Sequence, residues 1–243
     1  MKIPDAVRNV LPREKLMEIA VKSSIAKVKW RANRCNSLED YVNLAFSPSR
    51  FFPLPWISIS PAQVREEIME LLKILVKHKP QSILEIGTAR GGTLFLFTRV
   101  ASSDARIISI DLPGGRFGGG YPEWRIPLYE SFAIHNQRVY LIRGDSHAHS
   151  TLKMVKGILD GRGLDFLFID GDHTYEGVRK DFDMYGKLVD KGGVIAFHDI
   201  VPGPPESVCD VPRFWNEIKH RFSYVELVKD RKQGGYGIGV IYV

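Results

Sequence analysis

Five short apolar runs constrain this chain most: SILEI (82–86), RIISID (106–111), RVYLI (138–142), LDFLFID (164–170) and GVIAFH (193–198). Stretches of helical period separate them, notably TLFLFTRVAS (93–102), TYEGVRKDFDMYGKLV (174–189) and VPRFWNEIKHRF (211–222). A strand that is apolar on both sides needs cover on both faces, and parallel strands need long crossovers. The alternation therefore predicts an α/β fold, a parallel sheet with helices on both faces. Two last runs, SYVELV (223–228) and YGIGVIYV (236–243), are joined by a turn around Gly234 and Gly235 with no helix between them. They are expected to pair antiparallel. The whole would be a doubly wound, seven-stranded, mostly parallel sheet with an antiparallel C-terminal strand.

The chain ahead of the first strand reads differently. Met17, Val21, Ile25 and Val28 recur at helical spacing, and Lys15, Lys22 and Lys29 mark another face. SPSRFFPLPWISIS (47–60) interrupts with three prolines and reads as a connector. A helix is then expected from Ser60, with Pro61 in its first turn and Gln63 completing a capping box. Val64, Ile68, Leu71, Leu72 and Leu75 would form its buried stripe, and Pro80 would stop it. The expected division is a helical extension and connector at 1–54 and a cofactor-binding domain at 55–243.

Composition narrows the class. Apolar residues make up 44% and charged residues 26%, as in ordinary globular proteins. No apolar run approaches the ~20 residues of a membrane span, and the N-terminus lacks a secretory pattern. Cys35 and Cys209 are the only cysteines, and two so far apart form neither a disulfide framework nor a CxxC pair. A cytoplasmic location is expected, with both thiols as packing residues. The net charge is +6, and residues 1–50 hold ten Lys/Arg against five Asp/Glu. Such an arm can meet nucleic acid or an anionic membrane. Its basic residues are interleaved with Glu14 and Glu18, however, and its apolar stripe needs a partner surface. Packing or self-association is expected of it, and nucleic-acid binding is not.

Ligands of such sheets bind beyond the carboxyl ends of the strands, where the polar residues of this chain collect. The first run leads into LEIGTARGGT, with Glu85 two residues before Gly87, then Thr88, Gly91 and Gly92. Ala89 takes the place of the middle glycine of the dinucleotide fingerprint. The second run ends in Asp111, placed to accept from ribose hydroxyls. The third is followed by Asp145 and Ser146, where an acid can accept from an adenine amino group. The fourth ends in Asp170, with Asp172 and His173 beyond, and the fifth in His198 and Asp199. Carboxylates so close raise one another's pKa unless a cation intervenes. Oxygen ligands favour Mg²⁺, Ca²⁺ or Mn²⁺, while the histidines admit a softer metal. Plainer roles are a helix cap for Asp172 and a satisfied core histidine for His198.

The motifs LEIGTARGGT, ISIDLPGGRFGGGY, LIRGDSHAHST, FLFIDGDHTYEGVRKDF, GGVIAFHDI and VPRFWNEIK together resemble class I S-adenosylmethionine-dependent methyltransferases of the catechol O-methyltransferase-like and cephalosporin-hydroxylase-like branch. The resemblance covers roughly residues 55–243. It implies a Rossmann-like fold, with Glu85, Gly87, Thr88 and Gly91 at the methionine end of the cofactor, Asp111 at the ribose, and Asp145 and Ser146 at the adenine. It also implies Asp170 and Asp199 as ligands of a divalent metal, Mg²⁺ first. His198 stands where relatives often have an acid or amide. Asp172 or His173 would be the general base for O-methylation of a small hydroxylated acceptor. The glycine-rich, aromatic stretch 112–129 would form a lid, with Arg116 and Arg125 available to an anionic substrate. Alternatives are a nicotinamide-dependent oxidoreductase, a hydroxylase-type relative and a non-catalytic cofactor-binding protein.

Overall fold

A computed structural model describes residues 13–47, 57–117, 120–204 and 209–243. The aromatic part of the connector (48–56) and the lid glycines Gly118 and Gly119 lie outside the described residues. Helices α1 (Arg13–Ala32), α2 (Leu38–Ala45) and α3 (Arg65–His78) precede the sheet. Then come β1 (Ser82–Ile86), α4 (Gly92–Val100), β2 (Arg106–Asp111), α5 (Ile126–Glu130), β3 (Arg138–Arg143) and α6 (His149–Leu159). The chain finishes with β4 (Leu164–Ile169), α7 (Tyr175–Tyr185), β5 (Val189–His198), α8 (Val211–Ile218), β6 (Ser223–Leu227) and β7 (Ile238–Tyr242).

The sheet has seven strands in the order β3-β2-β1-β4-β5-β7-β6. The pairs from β3 through β5 are parallel, and β7 runs antiparallel to both of its neighbours. Strand order reverses between β1 and β4, which is where such sheets open a crevice. The apolar runs still alternate sides. Ile83, Phe166, Phe168 and Val194 face a core shared with α1–α5, whereas Leu84, Leu167, Ile195 and Phe197 face one shared with α6–α8. The doubly wound expectation holds.

The start of α3 differs from expectation. The helix begins at Arg65, with Val64 as its cap residue and no side-chain capping bond. Gln63 is committed elsewhere, because its Nε2 donates to Asp170 Oδ2 at 2.9 Å, far off in sequence. One turn into the helix, buried Glu67 accepts from the backbone N–H of Lys229 and Gly237 and from Gln233 Nε2. These bonds tie α3 to the turn between β6 and β7. The helix ends as expected, with Lys79 in the left-handed conformation before Pro80.

The N-terminal helices pack on the first core. The buried line of α1 is Leu16, Ala20, Val21, Ser24, Val28 and Ala32, while Met17 and Ile25 are half-buried. Lys15, Lys22 and Lys29 are exposed. α2 starts on a capping box of Ser37 and Asp40 and lies against α3 and α4, while α1 lies against α5. Among the described residues no helix is long and apolar enough to cross a membrane.

Candidate active site

The loop leaving β1 turns through three left-handed residues, Gly87 (φ 101°), Ala89 (φ 44°) and Gly91 (φ 81°). A Cβ on Gly87 would lie 1.9 Å from the carbonyl oxygen of Asp170, and one on Gly91 would strike the Tyr129 ring at 2.6 Å. Here the glycines admit neighbouring protein, the β4 tip and α5. Ala89 holds an uncommon conformation for a residue with a Cβ. Its N–H donates to Asp111 Oδ2 at 2.7 Å and its carbonyl accepts from Tyr129 Oη at 2.8 Å. Beneath the loop, Glu85 is fully buried and accepts from Ser109 Oγ at 2.5 Å and from Thr93 Oγ1. Burial pushes its pKa up to about 8, against the pull of those two bonds. Thr88 shares a hydrogen bond with Ser109 at 2.6 Å. Glu85 therefore supports the loop from below, while Gly87 and Ala89 meet open space.

That space is a cavity of about 230 Å³ across the tips of β1 to β4, onto which Gly87, Asp111, Asp145, Ser146, Asp170 and Asp172 open. Asp111 is nearly buried at 4% exposure, and its other oxygen accepts from Gly120 N at 2.7 Å. Burial raises its pKa, opposed by the backbone N–H groups around it. Asp145 Oδ1 accepts from His147 N at 2.8 Å. The His147 ring lies on the same wall, with Nε2 3.3 Å from Oδ1 of the fully buried Asp181. Asp181 holds the imidazole towards its charged form and so raises the His147 pKa.

A second cavity, of about 380 Å³, meets the first at Gly87, Ala89, Phe117 and Asp170. His173, His198, Asp199, Cys209 and Tyr236 line its far side. His198 Nδ1 lies 3.0 Å from Asp170 Oδ1 and 3.5 Å from Asp199 Oδ1. His173 Nδ1 lies 3.1 Å from Asp199 Oδ2, and its Nε2 is 3.7 Å from Asp170 Oδ1. Burial disfavours charge on His198, but the two carboxylates outweigh it and hold its pKa well above 6.5. Burial would likewise raise Asp199; His198, His173 and the N–H of Tyr236 reverse that and bring it to about 2. The repulsion expected between Asp170 and Asp199 is thus met by an imidazolium. Burial raises the Cys209 thiol to about 11. His198 Nε2 is buried without a hydrogen bond.

Three sequence expectations change here. The cap of α7 is Thr174, whose side chain accepts from Gly177 N, while Asp172 accepts from Thr174 N at 2.9 Å and opens on the first cavity. Asp172 and His173, adjacent in sequence, thus serve different cavities. Arg125 is committed to Ser58 O at 3.1 Å and Tyr129 Oη at 3.2 Å, so it braces the lid; Arg116 does line the first cavity. Within the lid, Phe117 stacks on His173 with centroids 4.9 Å apart and planes 10° apart.

Residues 84–200 match a family model described as a methyltransferase domain. These residues therefore resemble a methyltransferase domain. An uncharacterised protein of Acanthamoeba polyphaga mimivirus is 33% identical over 132 residues, 54% of this chain and 57% of that protein. The chain therefore spans little more than half the length of that relative. The fold is shared with an O-methyltransferase from Bacillus cereus in complex with S-adenosylhomocysteine, at 19% identity and a TM-score of 0.55, covering 92% of this chain and 100% of that one. It is also shared with the O-methyltransferase TomG from Streptomyces achromogenes, at 18% identity and a TM-score of 0.54, covering 91% and 97%. Every strand-tip residue named from the sequence falls inside the methyltransferase-domain match. Gln63, Cys209 and Tyr236 fall outside it, and sequence reasoning missed them as site residues. Inside it, Phe117 and the His147–Asp181 pair were also missed. Phe117 had a signal in the aromatic lid; for the others only the fold brings the partners together.

Proposed function

We propose that the chain is a class I S-adenosylmethionine-dependent methyltransferase that methylates a hydroxyl group of a small acceptor. The observation that carries the reading is the pair of cavities meeting at Gly87 and Asp170, one rimmed by Asp111 and Asp145, the other by His173, His198 and Asp199. The donor set of the first fits the cofactor. Asp111 would accept from the ribose hydroxyls, Asp145 and Ser146 would meet the adenine, and the backbone of Gly87 and Ala89 would meet the methionine end, while Thr88 and Gly91, expected at that end, pack on Ser109 and Tyr129 and shape the loop with Glu85 beneath. The cofactor supplies a sulfonium methyl group. The chain supplies position and a proton acceptor, and alignment of the reacting atoms accounts for much of the acceleration in such sites.

His173 is the better placed base. It faces the second cavity, and Asp199 Oδ2, 3.1 Å from its Nδ1, orients the ring towards an acceptor bound there. Asp172 faces the cofactor side. Asp170, Asp199 and His198 offer three donor atoms within 4.8 Å of one another and would hold a divalent cation such as Mg²⁺. A cation there would lower the pKa of the acceptor hydroxyl. Binding would require His198 to give up its proton.

Calorimetry with S-adenosylhomocysteine tests the reading. Wild-type protein should bind it, and Asp111→Ala should weaken binding by the ~1–3 kcal/mol that losing hydrogen bonds to a buried group costs. Equal affinity of the two proteins would remove Asp111 from the site, and binding of NAD in place of S-adenosylhomocysteine would overturn the assignment.

A further inference from the structure

His173, Asp199 and Cys209 each offer a donor atom, all within 4.8 Å of one another. This triad shares Asp199 with the oxygen-rich group already described, but its chemistry differs: one imidazole nitrogen, one carboxylate oxygen and one sulfur. Mg²⁺ takes oxygen ligands in near-ideal octahedra and keeps several waters. Thiolate and imidazole select softer ions, Zn²⁺ above all, and three protein ligands with one position left open are a usual arrangement for Zn²⁺ in a cavity.

The surroundings suit such an ion. All three side chains line the second cavity, which supplies the open position. The backbone N–H of Asp210 donates to His173 O at 2.8 Å, fixing the chain beside Cys209 against the histidine. Asp199 adopts a left-handed conformation (φ 62°), and its Oδ1 accepts from Tyr236 N at 3.0 Å, leaving Oδ2 towards His173. Asp170 Oδ1 lies 3.7 Å from His173 Nε2, a carboxylate beside the nitrogen that faces away from Asp199. A small approach of that carboxylate would give the outer-shell support a metal-bound histidine ordinarily has.

We propose that His173, Asp199 and Cys209 form a binding site for a borderline-soft divalent cation of the Zn²⁺ class. The site stands on its own donor set. Its consequence rests on the methyltransferase reading: an ion here occupies the imidazole that would take the acceptor proton, so it inhibits turnover.

The test is spectroscopic and calorimetric, on the full chain stripped with a chelator. Co²⁺ added to wild-type protein should give a near-ultraviolet thiolate-to-cobalt charge-transfer band, absent in Cys209→Ser. Zn²⁺ affinity should fall in Cys209→Ser by more than the ~10–100-fold that loss of an outer-shell partner costs. Mg²⁺ binding, measured in parallel, should not change. A wild-type spectrum without the band, or equal Zn²⁺ affinity in the two proteins, overturns the proposal, and the first of these does not depend on how the variant folds. A cobalt–thiolate band in a protein that fails to bind S-adenosylhomocysteine supports the cation site and overturns the methyltransferase reading.

Discussion

At the scale of single residues, the site depends on what small side chains allow and on where acids end strands. Gly87 combines a φ of 101° with a Cβ position 1.9 Å from Asp170 O. Gly87→Ala should lower stability by at least ~2 kcal/mol, since left-handed strain and overpacking each cost ~1–3 kcal/mol. Urea denaturation measures this, and an unchanged midpoint would refute it. The acids at 111, 145, 170 and 199 were legible in the sequence because a strand tip in this fold has a fixed place. Gln63 was not legible. Nothing in its local sequence points to Asp170, 107 positions away, and its capping pattern pointed to a helix start. His198 was legible as a polar residue at a strand end. Its role as the charge between two carboxylates was not, because that depends on distances of 3.0 and 3.5 Å.

At the scale of elements, strands were read more accurately than helix ends. β1, β2, β4 and β5 show as apolar runs because both sheet faces are covered there, so every residue of β1 is buried; β3, at the sheet edge, is only half-buried. The α1 stripe was displaced: Ala20 and Ser24 carry the buried line, and small residues contribute little to a pattern read by hydrophobicity. α2 and α1 nevertheless bear on the core. Leu44, only 2% exposed, belongs to the cluster that includes Leu71 and Phe95. Leu44→Ala should cost ~2–5 kcal/mol, as such core truncations do, with a matching loss in thermal midpoint. Deleting residues 1–50 should destabilise the sheet domain or change its mass in solution, read by light scattering. Salt-sensitive nanomolar binding to DNA or RNA, lost on that deletion, would instead make the basic extension a nucleic-acid arm.

For the molecule as a whole, stability should depend on pH in two opposite ways. Glu85 has a folded pKa raised from 4.5 to about 8 by burial. Below pH 4.5 both states hold its proton. Between 4.5 and 8 only the folded state does, so its contribution to stability falls as pH rises through this range and is level above it. Glu226 behaves in reverse. Burial would raise its pKa, but hydrogen bonds from Trp215, Lys219 and Arg231 bring it to about 2. Its contribution is present above pH 4.5 and is lost as pH falls towards 2. Chemical denaturation across pH should show Glu85→Gln gaining on wild type from pH 4.5 to 8, and Glu226→Gln losing its deficit only in acid. Parallel curves for Glu85→Gln and wild type would show that Glu85 does not titrate as described. The contact between Gly87 and Asp170 bears on how such a molecule can diversify. The two chambers meet where the Gly87 backbone packs on the Asp170 carbonyl, so the β1 loop and the β4 tip are not interchangeable parts. A β4 loop taken from another protein would have to follow the same path past position 87, and any drift there would disturb both chambers at once. Residues that line only the second cavity, such as Gly203, Cys209 and Tyr236, carry no such obligation. On the proposed reading, change of acceptor would proceed through them while the junction stays fixed.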